Sequence, residues 1–288
     1  MAWRNRFKDR PLTMGIVNVT PDSFYDGGRH ATEEQAIAHG LWLVEQGADI
    51  LDIGGESTRP FSEPLTVSEE LGRVIPVIQG IRSRSDIFLS IDTYHAEVAE
   101  KAVDAGANMI NDIYAFTFDA AMAQVAAERK VPVVLMHMRG TPKDMQQEPR
   151  YDDDNGGVLG DIVRFLTDRI ACALDAGIAE DDIIVDPGIG FGKRVQDNLA
   201  IIKGLRHLKE KLGKPILVGA SMKRFIGEVT QVEEIEGRLE GSLACAVLSI
   251  WNGADIIRVH DVAATRKVAL LVDAVMKVES PGAVSMEQ

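Results

Sequence analysis

The residues of this chain that can do chemistry fall just after short apolar runs. In order they are Asn18, the loop Gly54–Arg59, Asp92, Asn111, His137, Asp186, the segment Ser221–Lys223, and Arg258 with His260. Asp92 and Asp186, set beside Asn111, suit a heterocycle with several adjacent N–H groups, such as an aminopyrimidinone. Each aspartate alone fits as well as the cap of a following helix. Arg258 and His260 stand two apart, so on a strand they share a face and can clamp a diphosphate. Taken singly, His260 reads as a surface or packing histidine and Arg59 as a solvated side chain. His137 has the makings of a metal ligand, but a lone histidine at a strand end more often hydrogen-bonds its neighbours.

Such residues work together only if the elements before them converge. The apolar runs predict strands at Leu12–Val19, Asp49–Ile53, Ile87–Asp92, Met109–Ile113, Pro132–Met138, Ile183–Asp186, Pro215–Gly219 and Asp255–Val259. Between them, helical periodicity covers Thr32–Gln46, Val67–Arg82, Ala96–Ala105, Ala120–Glu128, Leu159–Ala176, Asn198–Lys211 and Leu239–Asn252, with a last helix at Val262–Lys277. Eight alternating units predict a closed parallel barrel, a single (β/α)8 TIM barrel in the α/β class. In that architecture the polar residues named above share one end, and the opposite strand ends carry a turn-like mixture of Ala, Gly, Pro, Lys and Asp. Gly47, Gly106, Gly177 and Gly253 each stand shortly before a strand, in the similar strings EQGADILDI, DAGANMIND, DAGIAEDDIIVD and WNGADIIRV. They read as recurring helix-turn-strand joints. Residues 140–157 read as a loop inserted after the fifth strand, within one domain spanning 1–288.

Composition narrows the function. A length of 288 residues fits one barrel, which needs roughly 250. A net charge of -13 argues against nucleic acid, whose phosphates demand a basic face. It leaves small anionic substrates open, because a few clustered cations reverse the local potential. Cys172 and Cys245 are too few for a disulfide framework and fit a reducing compartment. Neither a signal peptide nor an apolar stretch of ~20 residues is evident, which predicts a soluble, cytoplasmic protein with no membrane partner. The Gly-rich stretches at Gly27–Gly28, Gly54–Gly55 and Gly188–Gly192 match neither a dinucleotide fingerprint nor a P-loop, and no zinc-binding pattern occurs.

Seven motifs in order carry a resemblance over nearly the whole chain. MGIVNVTPDSFYDGG at Met14–Gly28 resembles the first signature of dihydropteroate synthases, and GGESTRP at Gly54–Pro60 resembles the second. SIDTYHAEVAEKAVDAGANMINDI, VVLMHMRGTPKDMQ, DPGIGFGK, ASMKRFIG and RVHDV follow in the family's order. The resemblance implies a homodimeric barrel enzyme of folate synthesis. It would join 6-hydroxymethyl-7,8-dihydropterin diphosphate to 4-aminobenzoate, releasing diphosphate. Position by position, Asp92, Asn111, Asp186 and Lys223 would hold the pterin. Arg258 would pack on its ring and, with His260, bind diphosphate. Asn18 would be a ligand of Mg2+. Asp22, Phe24 and Asp26 in the first loop, and Thr58, Arg59 and Pro60 in the second, would close over the reacting centre. Phe191 and Ser221 would line the aminobenzoate site.

Three positions depart from the family pattern: Met222 where Arg is normal, Phe61 where Gly is usual after Pro60, and Tyr25 in place of a small residue. Met222 removes a fixed positive charge near anionic substrates. Two other readings share the barrel. One is a pterin-dependent methyltransferase, which needs no diphosphate clamp; the other is a weakened or non-catalytic pterin-binding paralogue, which Met222 alone favours.

Overall fold

The computed structural model describes residue 3 and residues 10–19, 29–56, 65–141, 145 and 149–278. Eight parallel strands run β1 (Leu12–Asn18), β2 (Ile50–Gly54), β3 (Phe88–Asp92), β4 (Met109–Asp112), β5 (Val133–Met136), β6 (Ile183–Asp186), β7 (Leu217–Val218) and β8 (Ile256–Val259). Their order is β6-β5-β4-β3-β2-β1-β8-β7, and a single bridge between Val185 and Ile216 brings β6 to β7 and closes the ring. Around it lie α1 (Arg29–Glu45), α2 (Val67–Arg82), α3 (Ala96–Asp104), α4 (Ala121–Arg129), α5 (Gly157–Asp175), α6 (Val195–Leu212), α7 (Arg224–Thr230), α8 (Leu239–Trp251) and α9 (Val262–Met276). This is the (β/α)8 barrel that the alternation predicts. The seven-residue α7 has no counterpart in the periodicity, because two turns are too short to show a repeat. Strand β7 holds only two residues, against the five expected at Pro215–Gly219.

Strand alternation sorts the core into two layers. Residues facing the helices, such as Leu51, Ile53, Leu89, Ile91, Leu135 and Val185, join the large cluster between sheet and helices. Those facing inward fill the lower barrel: Leu12, Met14, Ile50, Phe88, Met109, Val134, Ile184, Leu217 and Ile256, with Trp3 packed among them. The Trp3 indole also donates to the Asp181 carbonyl at 3.0 Å.

The N-terminal ends of the strands are fastened by a repeated device. All four joint glycines take positive φ, from 92° at Gly177 to 119° at Gly106. Two residues after three of them stands Asp49, Asn108 or Asp255, and each grips the preceding strand with two bonds. Asp49 donates its N–H to the Thr13 carbonyl at 2.9 Å and accepts the Thr13 N–H on Oδ2 at 2.9 Å. Asn108 does the same to Leu89, at 2.7 and 3.0 Å, and Asp255 to Ile216, at 2.8 and 2.8 Å. A cation from outside seals each grip: Arg10 and Arg266 on Asp49, Arg82 on Asn108, and Lys209 on Asp255. The fourth joint has Ala179 at this position and no such grip. Buried hydrogen bonds at this face serve stability, because substrates meet a barrel at the other end.

Asp49 gathers the most partners. Asp49→Ala would leave the buried Thr13 N–H unpaired and Arg10 and Arg266 without a carboxylate. The expected loss is about 3 kcal/mol of unfolding free energy, read by urea denaturation. A change below about 0.5 kcal/mol, the scale of an ordinary surface substitution, would contradict this account.

Candidate active site

Towards the C-terminal strand ends, the inward-facing residues change from apolar to charged. Two steps beyond the lower layer stand Asp52, Ser90, Asn111, Asp186 and Arg258. Arg258 is the hub. Its Nε donates to Asp52 Oδ2 at 2.6 Å and its Nη2 to Asp92 Oδ2 at 2.7 Å. Burial works against the Arg258 charge, but Asp52 and Asp92 outweigh it and hold the guanidinium more firmly protonated than usual. Burial raises the Asp92 carboxyl, and Arg258 opposes the rise.

Asp52 is the residue that motif reading passes over. It is wholly buried, and its Oδ2 also accepts from Asn111 Nδ2 at 3.0 Å. It therefore fixes two of the expected residues, Arg258 and Asn111, from below. Its Oδ1 has no hydrogen-bond partner, and neither has Oγ of Ser90, which pairs with it in the β2–β3 register. One signal was available: a carboxylate in mid-strand, within the apolar run ILDIG, is a buried charge that calls for a cation facing it.

Asp186 ends β6 and accepts the Gly188 N–H on Oδ1 at 2.6 Å. The capping reading fails for both aspartates: Asp186 serves a turn, and His95 stands at the N-cap of α3, after Asp92. Burial pushes the Asp186 carboxyl up to about 6, against the Gly188 hydrogen bond. Asn111 lies beside Asp92 in register, so amide and carboxylates line one surface. Tyr94, Ile113, Met136, Met145 and Phe191 form an apolar cluster above the lower core.

The remaining expected residues come from loops, turns and the end of β1. Lys223 Nζ sits 4.2 Å from the centre of the Phe191 ring. Burial, then Arg258, lowers the Lys223 ammonium to about 8. Ser221 Oγ lies 3.0 Å from His260 Nδ1, which joins the turn after β7 to the residue after β8. Asn18 is the last residue of β1 and is partly exposed. His137 is no ligand; its ring bonds Asp161 and Lys193. Asp22, Phe24, Asp26, Thr58, Arg59 and Pro60 lie outside the described residues, as do Tyr25 and Phe61. The root of the second loop is described: Glu56 accepts from Tyr94 Oη at 2.7 Å and from the Leu65 N–H at 3.0 Å.

Met222 turns away from its neighbours, though not by strand alternation. Strand β7 ends at Val218, and Met222 sits in a turn with φ 58°. Its N–H donates to Ser242 Oγ at 3.0 Å, and that hydroxyl lies 3.7 Å from the Met222 sulfur. The side chain thus packs on the first turn of α8.

A single chain therefore presents paired buried carboxylates, an amide, a central guanidinium and a flanking ammonium at one end of a barrel. The family model for pterin binding enzymes matches residues 14–260. The dihydropteroate synthase of Bacillus subtilis is 45% identical over 270 residues, covering 94% of this chain and 90% of that protein. Among solved structures, the Xanthomonas albilineans dihydropteroate synthase with 4-aminobenzoic acid is 50% identical and superposes with a TM-score of 0.87, covering 94% of this chain and 95% of that one. The same enzyme in complex with 7,8-dihydropteroate superposes with a TM-score of 0.84 at 47% identity, with the same coverage. The chain belongs to the dihydropteroate synthase family of pterin-binding enzymes.

Proposed function

We propose that this protein condenses 6-hydroxymethyl-7,8-dihydropterin diphosphate with 4-aminobenzoate, giving 7,8-dihydropteroate and diphosphate. The observation that carries the reading is the set of buried Asn111 and Asp186 with partly buried Asp92 around Arg258. Acceptors and one donor amide at fixed spacing match the N–H edge of a pterin. Lys223 holds the pterin from the side, and Arg258 packs on its ring.

The reaction breaks a C–O bond at the pterin-methyl carbon, forms a C–N bond to the arylamine, and releases the amine's surplus proton to the diphosphate or to solvent. Negative charge develops on the departing diphosphate, and Arg258 and His260 meet it with fixed donors. Asp26 would face the carbon as it becomes electron-poor. The arylamine is a neutral nucleophile already, so orientation by Phe191 and Ser221 replaces a strong base. Asp22 and Phe24 of the first loop, with Thr58, Arg59 and Pro60 of the second, would close over the centre and exclude water. Magnesium fits this site as an ion that arrives with the diphosphate. Among the described residues no group of three or more His, Cys, Asp and Glu can hold a metal, and the Asn18 carbonyl is a hard oxygen ligand suited to complete a largely phosphate and water shell. Bound there, magnesium would neutralise charge on the leaving group.

The enzyme works as a homodimer in the cytoplasm. The adjacent helices α8 and α9 expose Leu248, Trp251, Leu271 and Val275, a face that a second copy would cover. Cys172 and Cys245 are free thiols, and no described helix is long and apolar enough to cross a membrane.

Diphosphate release that depends on added 4-aminobenzoate is the direct assay; release that ignores the amine, or none at all, would overturn the reading. Asp186→Asn removes a charge-assisted contact worth on the order of 1.5–3 kcal/mol, so pterin affinity should fall at least about tenfold by calorimetry. The pH sign follows from Asp186 titrating at about 6. The ionised carboxylate accepts the pterin N–H groups, so affinity is full above that pH and falls as pH drops through it. Asp186→Asn should flatten this limb, and a persistent limb would assign it elsewhere. Because Met222 points at α8, Met222→Arg should change turnover by less than about tenfold, or roughly 1.4 kcal/mol in the barrier. A restored activity in a previously inactive protein would instead mark a decayed paralogue.

A further inference from the structure

Lys193 closes the glycine-rich loop after β6 and is almost completely buried, at 3% exposure. Its ammonium has three N–H bonds to give and three acceptors in reach: His137 Nδ1 at 3.1 Å, the His137 carbonyl at 3.1 Å and the Phe191 carbonyl at 2.9 Å. Since Nδ1 accepts, the His137 ring is neutral and Nε2 carries the hydrogen, which it donates to Asp161 Oδ2 at 3.2 Å. A chain of bonds thus runs from the partly exposed Asp161 on α5, through the imidazole at the end of β5, to a buried cation. Burial lowers the Lys193 ammonium to about 7, and it also lowers the His137 ring to about 4, in keeping with a neutral imidazole. Besides Asp161, the charges facing Lys193 are Asp186 on β6, Asp197 on α6 and the Lys223 ammonium.

The loop it closes is pressed against the end of β5. Gly188 and Gly192 have φ of 68° and 63°, and a Cβ on either would come within 2.0 Å of the His137 carbonyl oxygen or 2.1 Å of the Arg139 one. Only glycine fits that approach, and the Tyr151 hydroxyl bonds the Gly192 carbonyl at 2.6 Å. The one bulky side chain the loop sends up is Phe191, whose ring lies against Lys223. The Phe191 backbone is held by its own N–H on the Gly188 carbonyl at 3.1 Å and by the Lys193 bond to its carbonyl, and of the two only the Lys193 bond ties it to the end of β5.

We propose that Lys193 is a positioning residue for the arylamine substrate, its buried ammonium tying the Phe191 backbone to the end of β5. The proposal rests on the proposed synthase activity, in which Phe191 lines the aminobenzoate site. Lys193 acts on the arylamine through Phe191, while Asp186, on the same loop's stem, is held in place by β6 and by Gly188 and receives from Lys193 only a through-space charge that favours its ionised form. Loss of the ammonium should therefore harm one substrate and largely spare the other.

The test is a full steady-state analysis of Lys193→Met, with folding checked by thermal melting. The KM for 4-aminobenzoate should rise about tenfold, while the KM for pterin diphosphate and kcat should each change by less than roughly threefold. A purely structural lysine would move all three together, or none, and either result overturns the proposal. Should Lys193→Met fail to fold, Asp161→Asn at the exposed end of the chain decides. It weakens the hold on the neutral His137 ring, and the aminobenzoate KM alone should rise about threefold. A crystal structure of either variant separates this proposal from the functional one. If the wild-type protein lacks synthase activity yet the Phe191 ring leaves Lys223 in the variant, the functional reading fails and the positioning role stands. A ring that stays in place overturns the positioning role whatever the activity.

Discussion

A guanidinium inside a protein has to be surrounded by groups that offset its lost hydration, and Arg258 organises the upper barrel on that account. Asp52 and Asp92 bracket it from β2 and β3, two and three strands round the barrel from its own, and Asn111 shares the Asp52 oxygen. Removing one partner of such a set leaves an uncompensated buried charge, which is why these groups hold one another in a single arrangement. The arrangement is also incomplete. Asp52 Oδ1 and Ser90 Oγ are buried without hydrogen-bond partners, and Asp92 commits one oxygen to Arg258. A ligand that brings N–H groups and an anionic tail changes both conditions at once.

The two ends of the barrel use charge differently. At the N-terminal end Asp49, Asn108 and Asp255 are each met by backbone and by a sealing cation, and the result is a fastening. At the other end, Asp92, Asp186 and Lys223 are shifted by burial away from their ordinary ranges. Displaced ionisation concentrated on one face is the mark of a binding and reacting centre. The same residue type, aspartate, thus does two jobs, and its position along the strand decides which.

Much of this was legible in the sequence because strand and helix periods are strict. All eight strands and eight of the nine helices described stand where apolar periodicity puts them, and α2 matches to the residue at Val67–Arg82. The joint glycines were legible as well, since a left-handed helix end asks for that residue. Other features were not. The two-residue β7 has too little ladder to impose alternation on the residues after it, so Met222 reached its position by a turn with positive φ. Asp52 hid inside an apolar run because its cation, Arg258, lies 206 residues away along the chain. Lys193 hid for a different reason: after a glycine-rich loop a lysine looks solvated, and only the packing of β5 against that loop reveals three acceptors around it.

The ring of strands has one weak link. Strand β6 meets β7 only through the bridge at Val185 and Ile216, whereas the β1–β2 ladder is five pairs long. Few ladder bonds mean a low free energy of local opening, so the barrel has a seam there. On one side of that seam stands Asp186, and on the other the turn that carries Ser221 and Lys223. A ligand held from both sides would act as a cross-link over the seam. Occupancy would then do for this barrel what backbone pairing does elsewhere around its circumference, and the closed hoop would be completed by its own ligand.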